Sequence, residues 1–253
     1  MIVDNRELKW QPTEEQVAAI CQRRFGVGAD GLMTLETTAL EGFTFEMKYY
    51  NSDGHLGSMC GNGGRCIATF DYLLERDCAA ATPVSLSTIK FLGYDGPHEA
   101  DILEWDGHTG LVRLGMRSVP TDSVRRVLDG WYLDTGSPHY VQHVSNLEHY
   151  DVFGEGRRLR HRTDLFPGGA NIDFVEELSD GRLFVRTYER GVEDETWACG
   201  TGVTACAIVT GNRRLVTRGG DFTVDFSPTP TAYDHVRLTG PVSLNFTGLW
   251  PID

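Results

Sequence analysis

No stretch of this 253-residue chain approaches the roughly 18 consecutive apolar residues that a membrane-spanning helix needs. The first ten residues hold Asp4, Arg6, Glu7 and Lys9, and so charged a start does not read as a secretory signal. Basic residues are in short supply: 23 Lys and Arg stand against 36 Asp and Glu, a formal charge of −13. A surface of that sign serves solubility and repels polyanions, so neither nucleic acid nor a membrane is an expected partner. Cysteine is sparse too. The six are Cys21, Cys60, Cys66, Cys78, Cys199 and Cys206. They are too few for a disulfide scaffold of this size and are expected to be reduced thiols in the cytoplasm. No Cys-x-x-Cys pair occurs, and the Cys60/Cys66 and Cys199/Cys206 spacings do not suit zinc, so no metal site is expected. Low-complexity tracts are absent. What remains, 40% hydrophobic and 23% charged residues, suits one large domain or two of moderate size.

Within that ordinary composition, two short stretches echo each other. Residues 59–66 read Met-Cys-Gly-Asn-Gly-Gly-Arg-Cys, and residues 198–206 read Ala-Cys-Gly-Thr-Gly-Val-Thr-Ala-Cys. Tyr50-Asn51 precedes the first and Tyr188-Glu189-Arg190 the second. One such turn is weak evidence. Two, one in each half of the chain, predict two half-sites.

The surrounding pattern supports a duplicated α+β fold. A capping box at Thr13 and Gln16 predicts a helix over 13–24, with Val17, Ile20 and Cys21 on one face. Phe43, Phe45, Met47 and Tyr49 alternate with polar residues as a half-buried strand does, and Asn51-Ser-Asp-Gly54 is a turn signal. Ile67, Phe70, Leu73 and Leu74 give a helix over 64–75. Short strands are predicted at 84–87, 102–105 and 111–114, with a hairpin corner at Asp106-Gly107. A crossover at 119–129 separates the halves. The second half offers strands at 131–135, 140–144, 172–176 and 183–188, a helix over 203–210, and closing strands at 222–226, 236–238 and 242–246. Strand-rich halves, each with a helix launched from a Cys-Gly turn, argue against a doubly wound sheet.

The repeated motif carries chemistry. Glycines remove bulk and allow unusual backbone angles, so a ligand can approach the chain closely. A helix beginning there presents N–H groups and the positive end of its dipole, which suits a carboxylate. The same field is expected to lower the pKa of an adjacent cysteine. Two such motifs could hold an amino-acid α-carboxylate while one thiolate removes the α-proton and the other thiol returns a proton to the opposite face. That is cofactor-free racemisation or epimerisation, with Cys60 and Cys199 as the acid/base pair. The remaining cysteines, Cys21, Cys66, Cys78 and Cys206, lack this context and read as packing residues. Activated thiols of this kind are also expected to make the activity sensitive to oxidation.

At these residues the chain resembles the diaminopimelate epimerase family. The likeness extends to Gly26-Val-Gly-Ala-Asp-Gly-Leu32, Asn51-Ser-Asp-Gly54, Gly136-Ser-Pro-His139 and Asn171-Ile-Asp-Phe174. Related proline racemases carry Met-Cys-Gly-His at the first cysteine, and Asn62 points away from them. The resemblance implies two pseudo-symmetric domains, each a curved mixed sheet around a central helix. Their expected bounds are 1–118 completed by 240–253, and 119–239. It further implies interconversion of LL- and meso-diaminopimelate without pyridoxal phosphate or any other cofactor, with a homodimer as the expected assembly. By the same resemblance Cys60 is the base toward the LL isomer. Gly61, Asn62, Gly200 and Thr201 supply backbone donors to the reacting carboxylate, and Asn51, Asn171 and Arg190 hold the far end of the substrate. Glu189 and His139 are polar partners near the thiols.

Three features depart from the family pattern. Ser137 stands where many members have Asn, with a shorter reach to substrate. Gly31 stands where some have Gln. The family opens with a strand and a Gly-Asn-Asp-Phe segment, of which Met1-Ile-Val-Asp-Asn5 resembles only the tail, so that strand and its Asn are expected to be missing.

Rival readings have weaker support. Gly26-Val-Gly-Ala-Asp-Gly31 matches the dinucleotide fingerprint, but it follows a predicted helix and leads into a strand at 32–35, the reverse of the required order. A related racemase acting on another amino acid, such as histidine, and a non-catalytic amino-acid-binding relative remain alternatives. A binding module would not need two thiols.

Overall fold

The capping box read at Thr13 is formed. In the computed structural model, which describes residues 1–57, 60–75 and 87–251, helix α1 spans Glu14–Cys21. The Thr13 hydroxyl accepts the Gln16 N–H at 3.3 Å and the Gln16 side chain accepts the Thr13 N–H at 3.2 Å. The helix stops short of Arg24. Gln22 turns extended, and Gly26 tucks under the last turn, where a Cβ would lie 2.1 Å from the Ala19 carbonyl oxygen. Replacing Thr13 with Ala removes the bond that its hydroxyl accepts, while the backbone N–H can still donate to Gln16, and is expected to lower stability by about 1 kcal/mol, read as a drop in the urea midpoint.

The chain divides into two units, Met1–Leu114 with Val242–Asp253, and Gly115–Pro241. In the first, strands β1 (Ile2–Asp4), β2 (Gly31–Glu36), β3 (Phe45–Asn51), β4 (Ser87–Gly93), β5 (Gly96–Trp105) and β6 (Thr109–Gly115) lie side by side in chain order. β1/β2 and β3/β4 are parallel; the other neighbours are antiparallel. Helix α2 (Gly61–Leu74) joins β3 to β4 and packs on β2, β4 and β5. The predicted Asp106-Gly107 corner is present, with Gly107 at φ 101° and the Asp106 N–H bonded to the Thr109 carbonyl at 2.9 Å.

The second unit repeats this pairing. Short strands β7 (Val119–Pro120) and β8 (Arg125–Val127) precede β9 (Gly130–Asp134) and β10 (Pro138–His143). Helix α3 (Val152–Arg160) leads to β11 (Asn171–Glu177), β12 (Leu183–Glu189) and β13 (Asp194–Thr196). Helix α4 (Gly200–Thr210) is followed by β14 (Arg214–Thr217), β15 (Gly220–Pro228) and β16 (Ala232–Ser243). The order is β16-β15-β14-β12-β11-β10-β9-β8, with β7 on β16 and β13 on β12. β10/β11 and β12/β14 are parallel, as β1/β2 and β3/β4 are. The β11/β12 and β14/β15 pairs are antiparallel, matching β2/β3 and β4/β5. Thus α1 corresponds to α3 and α2 to α4, and the echo in sequence is an echo in topology. Helix α4 is buried from Gly200 to Ile208. Its Val203, Ala205, Cys206, Ala207 and Ile208 join Val141, Val175, Leu215, Val224 and Leu238 in one core, as expected of a helix that is apolar all round.

Several elements differ from the sequence reading. Residues 2–4, which resembled a segment's tail, form a strand because Ile2, Val3 and Asp4 pair with Met33, Thr34 and Leu35. Helix α3 was not predicted, since its two glycines and three arginines blur the apolar stripe. Only Val152, Gly156 and Leu159 face inward. The two closing strands are one. Gly240-Pro241 looks like a break, yet Pro241 sits on the outer face while Val236, Leu238, Gly240 and Val242 alternate inward. Of the strand expected at 84–87, residues 84–86 lie outside the described residues.

Asp71 on α2 is a buried carboxyl whose pKa is pushed up to about 6, by burial first and by Glu75 second, with Arg6 opposing. The folded state therefore binds its proton more tightly than the unfolded chain. Its favourable contribution is complete below about pH 4 and is lost as pH rises through about 6. Asp71→Asn is expected to stabilise the protein at pH 7.5 by about 1–2 kcal/mol after allowing for solvent screening. The gain should vanish in urea titrations near pH 4.

Candidate active site

Both motif cysteines sit at the start of a helix in almost the same backbone conformation. Cys60 caps α2 at φ −110°, ψ 118°, and Cys199 caps α4 at φ −114°, ψ 112°. The helices begin at Gly61 and Gly200, three residues earlier than the sequence indicated, so the motif glycines lie inside the first turn. None of them takes a positive φ. Their purpose is room. A Cβ on Gly63 would lie 2.7 Å from Met33 Sδ, and one on Gly202 would lie 2.4 Å from Asp173 Oδ1. In the first turn of α4 the Gly200 and Thr201 N–H groups have no intrahelical acceptor. They lie at the positive end of the helix dipole, as an anion site requires.

At Cys60, the thiol sulfur accepts the Gly63 N–H at 3.4 Å and the carbonyl accepts the Gly64 N–H at 2.8 Å. Arg65, only 3% exposed, lies across this turn. It donates to the Gly61 carbonyl at 3.2 Å and to Asn62 Oδ1 at 3.0 Å. Burial pushes the Arg65 guanidinium down, and its attraction to Cys66 and Cys60 opposes that. Cys60 therefore has a buried cation as neighbour. Asn51 ends β3 at the predicted turn, exposed, with Gly54 at φ 94° donating its N–H to the Asn51 carbonyl at 3.0 Å.

At Cys199, strand register builds a polar cluster beneath α4. In the parallel β10/β11 pair His139 stands opposite Asn171, and in the antiparallel β11/β12 pair Asp173 stands opposite Thr187. Residues two apart share a sheet face, so His139, Asn171, Asp173 and Thr187 point the same way. His139 and Asp173 are wholly buried and bonded Nδ1 to Oδ2 at 2.7 Å. Asp173 Oδ1 accepts the Thr187 hydroxyl at 2.7 Å. His139 Nε2 meets Thr201 Oγ1 at 2.9 Å and Ser137 Oγ at 3.0 Å. Thr201 Oγ1 in turn lies 3.4 Å from Cys199 Sγ, and the Thr201 carbonyl accepts the Thr135 hydroxyl at 2.8 Å.

The remaining sequence-predicted residues lie around this cluster. Asn171 accepts the Arg190 N–H at 2.8 Å and donates to Ser137 Oγ at 3.0 Å and to the Pro138 carbonyl at 3.2 Å. Its amide thus ties β10 to the end of β12. Arg190 Nη1 donates to the Gly168 carbonyl at 3.1 Å, and Glu189 accepts the Thr196 hydroxyl at 2.8 Å. Cys21, Cys66 and Cys206 lie on helices, with Cys21 and Cys206 in apolar cores; Cys78 lies outside the described residues.

One electrostatic expectation is reversed. The Cys199 thiol is pushed well above its ordinary value, first by burial and then by the nearby Glu189 and Asp173 carboxylates. The Thr201 hydroxyl and the Gly202 N–H pull the other way and do not prevail. The helix start alone does not make Cys199 a thiolate, because two negative charges and exclusion from water outweigh it.

A family model described as diaminopimelate epimerase matches residues 1–88 and 131–229, more than half of the chain and both cysteine motifs. The chain belongs to the diaminopimelate epimerase family. It is 41% identical over 214 residues to the diaminopimelate epimerase of Chlorobaculum tepidum, covering 83% of this chain and 78% of that one. It is 38% identical over 258 residues to that of Flavobacterium psychrophilum, covering 97% and 93%. Among solved structures, a hydroxyproline epimerase from Agrobacterium vitis aligns at TM-score 0.62 and 18% identity over 91% of this chain and 77% of that one. A probable proline racemase from Agrobacterium radiobacter aligns at 0.67 and 16% identity over 95% and 82%. At those identities the likeness is one of fold, and it agrees with the α+β class read from sequence. Asp173, Arg65, Thr135 and Thr187 are bonded into the surroundings of the two cysteines, and sequence reasoning singled out none of them. Asp173 stood inside a quoted motif, and a buried carboxylate two residues beyond a strand's first residue was the available signal.

Proposed function

We propose that this chain is a diaminopimelate epimerase, a cofactor-independent isomerase interconverting the LL and meso forms of 2,6-diaminopimelate. The observation that carries the reading is the pair of equivalent helix-capping cysteines, Cys60 and Cys199, in a chain 41% identical to a diaminopimelate epimerase. One thiolate takes the α-proton and the other thiol returns one to the opposite face of the carbon. First-turn N–H groups at Gly61, Asn62, Gly200 and Thr201 meet the charge that develops on the carboxylate. Asn51, Ser137, Asn171 and Arg190 complete the substrate contacts. Glu189 and His139 support the proton transfers.

The unequal surroundings of the thiols support a division of labour. Cys60 has buried Arg65 beside it, whereas burial and two carboxylates push the Cys199 thiol up. Cytoplasmic location and assembly as a homodimer belong to the same proposal. Purified protein incubated with LL-diaminopimelate, without added cofactor, should produce the meso isomer on chiral chromatography and leave L-histidine and L-proline unchanged. No meso product, with turnover of either other amino acid, would overturn the substrate assignment.

A further inference from the structure

Asn51 stands opposite a residue with no side chain. Its partner in the β2/β3 pair is Gly31, and two residues further in Tyr49 is paired with Met33. Opposite and alternate residues of an antiparallel pair share a sheet face, so Gly31, Met33, Tyr49 and Asn51 belong to one face. Met33 shows what that face meets. A Cβ on Gly63 would lie 2.7 Å from the Met33 sulfur and 3.3 Å from the Cys60 Cβ, so the face lies against the first turn of α2. Tyr50, one residue on, packs on the other side with Val17 and Ile20 of α1. We propose that the Tyr49 hydroxyl takes the place of a side chain at position 31 and, beside Asn51, hydrogen-bonds the polar far end of the substrate. This inference rests on the reading of the chain as a diaminopimelate epimerase with Asn51 at that far end.

Two glycines make room for the tyrosine. A Cβ on Gly31 would lie 2.8 Å from both Cε2 and Oη of Tyr49, and one on Gly57 would lie 2.5 Å from Cδ1 and 2.7 Å from Cε1. The ring therefore stands between the two glycines, one edge on each. Neither glycine takes a positive φ, so space and not backbone angle is what they supply. The Gly57 Cβ position also lies 3.0 Å from Asn51 Oδ1, which makes the Tyr49 ring and the Asn51 amide neighbours. The Gly57 N–H donates to the Tyr49 carbonyl at 2.8 Å and keeps that residue against the strand.

Held at both edges, the ring carries its hydroxyl to the point where a side chain at position 31 would leave the sheet. Tyr49 is half-buried, and a phenylalanine ring would fill the same slot. What the hydroxyl adds is a group that both donates and accepts. The far end of diaminopimelate is an ammonium and a carboxylate, one suited to each role. Hydrogen bonds to charged groups are the stronger kind, and a rigid aromatic side chain loses little freedom in making one. Tyr49 thus extends the Asn51 contact along the same strand face, toward the turn that carries Cys60.

The test is Tyr49→Phe, which keeps the ring and removes the hydroxyl. KM for LL-diaminopimelate should rise about tenfold or more. Because the lost bond is made equally before and during the reaction, kcat should stay within about threefold. A second readout does not use turnover. LL-diaminopimelate should shield Cys60 from iodoacetamide, followed on its peptide by mass spectrometry, and the half-shielding concentration should rise by the same factor in Tyr49→Phe. Wild-type KM and wild-type shielding in the variant overturn the proposal. Adding Tyr49→Phe to Asn51→Ala separates direct contact from an effect exerted through Asn51. A further rise in KM is expected, and none overturns the direct contact. If Tyr49→Phe does not fold, Gly57→Ala decides, since its methyl would displace the ring: KM should rise, and a wild-type KM overturns the proposal. Failure of the underlying reading looks different. Wild-type protein would then neither turn over LL-diaminopimelate nor have Cys60 shielded by it, whereas equal shielding of wild type and Tyr49→Phe defeats only the role of Tyr49.

Discussion

Cys199→Ala lowers kcat for epimerisation by roughly 10²–10⁴-fold, the range expected when a positioned acid/base group is removed, and Cys60→Ala does the same. Each substitution leaves substrate binding groups in place, so KM should change far less than kcat. Both residues stand at helix N-caps, but only the Cys60 sulfur accepts a capping bond, and the backbone around each is held by its own bond: Gly64 N–H to the Cys60 carbonyl at 2.8 Å and Val203 N–H to the Cys199 carbonyl at 2.8 Å. Inactivity should therefore appear without loss of the folded state, verified by thermal melting. Loss of α-deuterium from labelled LL-diaminopimelate gives the sharper measurement. If Cys60 is the base toward that isomer, deuterium loss requires Cys60 whatever becomes of Cys199. Full turnover in either variant sinks the two-base mechanism.

Gly202→Ala is the second large effect. The added methyl would lie 2.4 Å from Asp173 Oδ1 and 3.3 Å from His139 Cε1. Asp173 is wholly buried and bonded at both oxygens, so it cannot yield as a surface side chain would. Overpacking of this kind is expected to cost about 1–3 kcal/mol. The displaced parts are Asp173, His139 and the turn carrying Thr201 and Cys199. A misplacement of about 1 Å in such a group costs on the order of 10²-fold in rate. The measurement pairs a urea midpoint with kcat. A variant that folds with wild-type stability and wild-type kcat would show that the space beneath α4 is not filled as described.

These two predictions separate what was readable from what was not. The Cys-Gly-x-Gly echo was visible because identical local requirements, a cysteine at the N-cap and a first turn without bulk, leave the same Cys, Gly and Gly in both places. The hairpin at Asp106-Gly107 and the capping box at Thr13 were visible because each is settled by residues three or four apart. The starts of α2 and α4 were not, since Gly61, Gly63, Gly200 and Gly202 are poor helix formers and only burial of the following turns carries the helix back to the cysteine. Helix α3 was hidden for a related reason. Its Gly156 is required by close approach to Tyr188, where a Cβ would lie 2.4 Å from the Tyr188 Cβ, and no local pattern records that neighbour.

By itself the sequence determined the α+β class, the duplication, the two thiols and the family, because these depend on residue identity and short-range spacing. Only the tertiary structure decided how the thiols differ. Strand register brings His139, Asp173 and Thr187 onto one face beneath Cys199, and folding buries Arg65 beside Cys60. Electrostatic energy depends on distance and on exclusion from water, and neither is written in the order of residues. Two nearly identical motifs thus acquire opposite charged neighbours, a cation at Cys60 and carboxylates at Cys199.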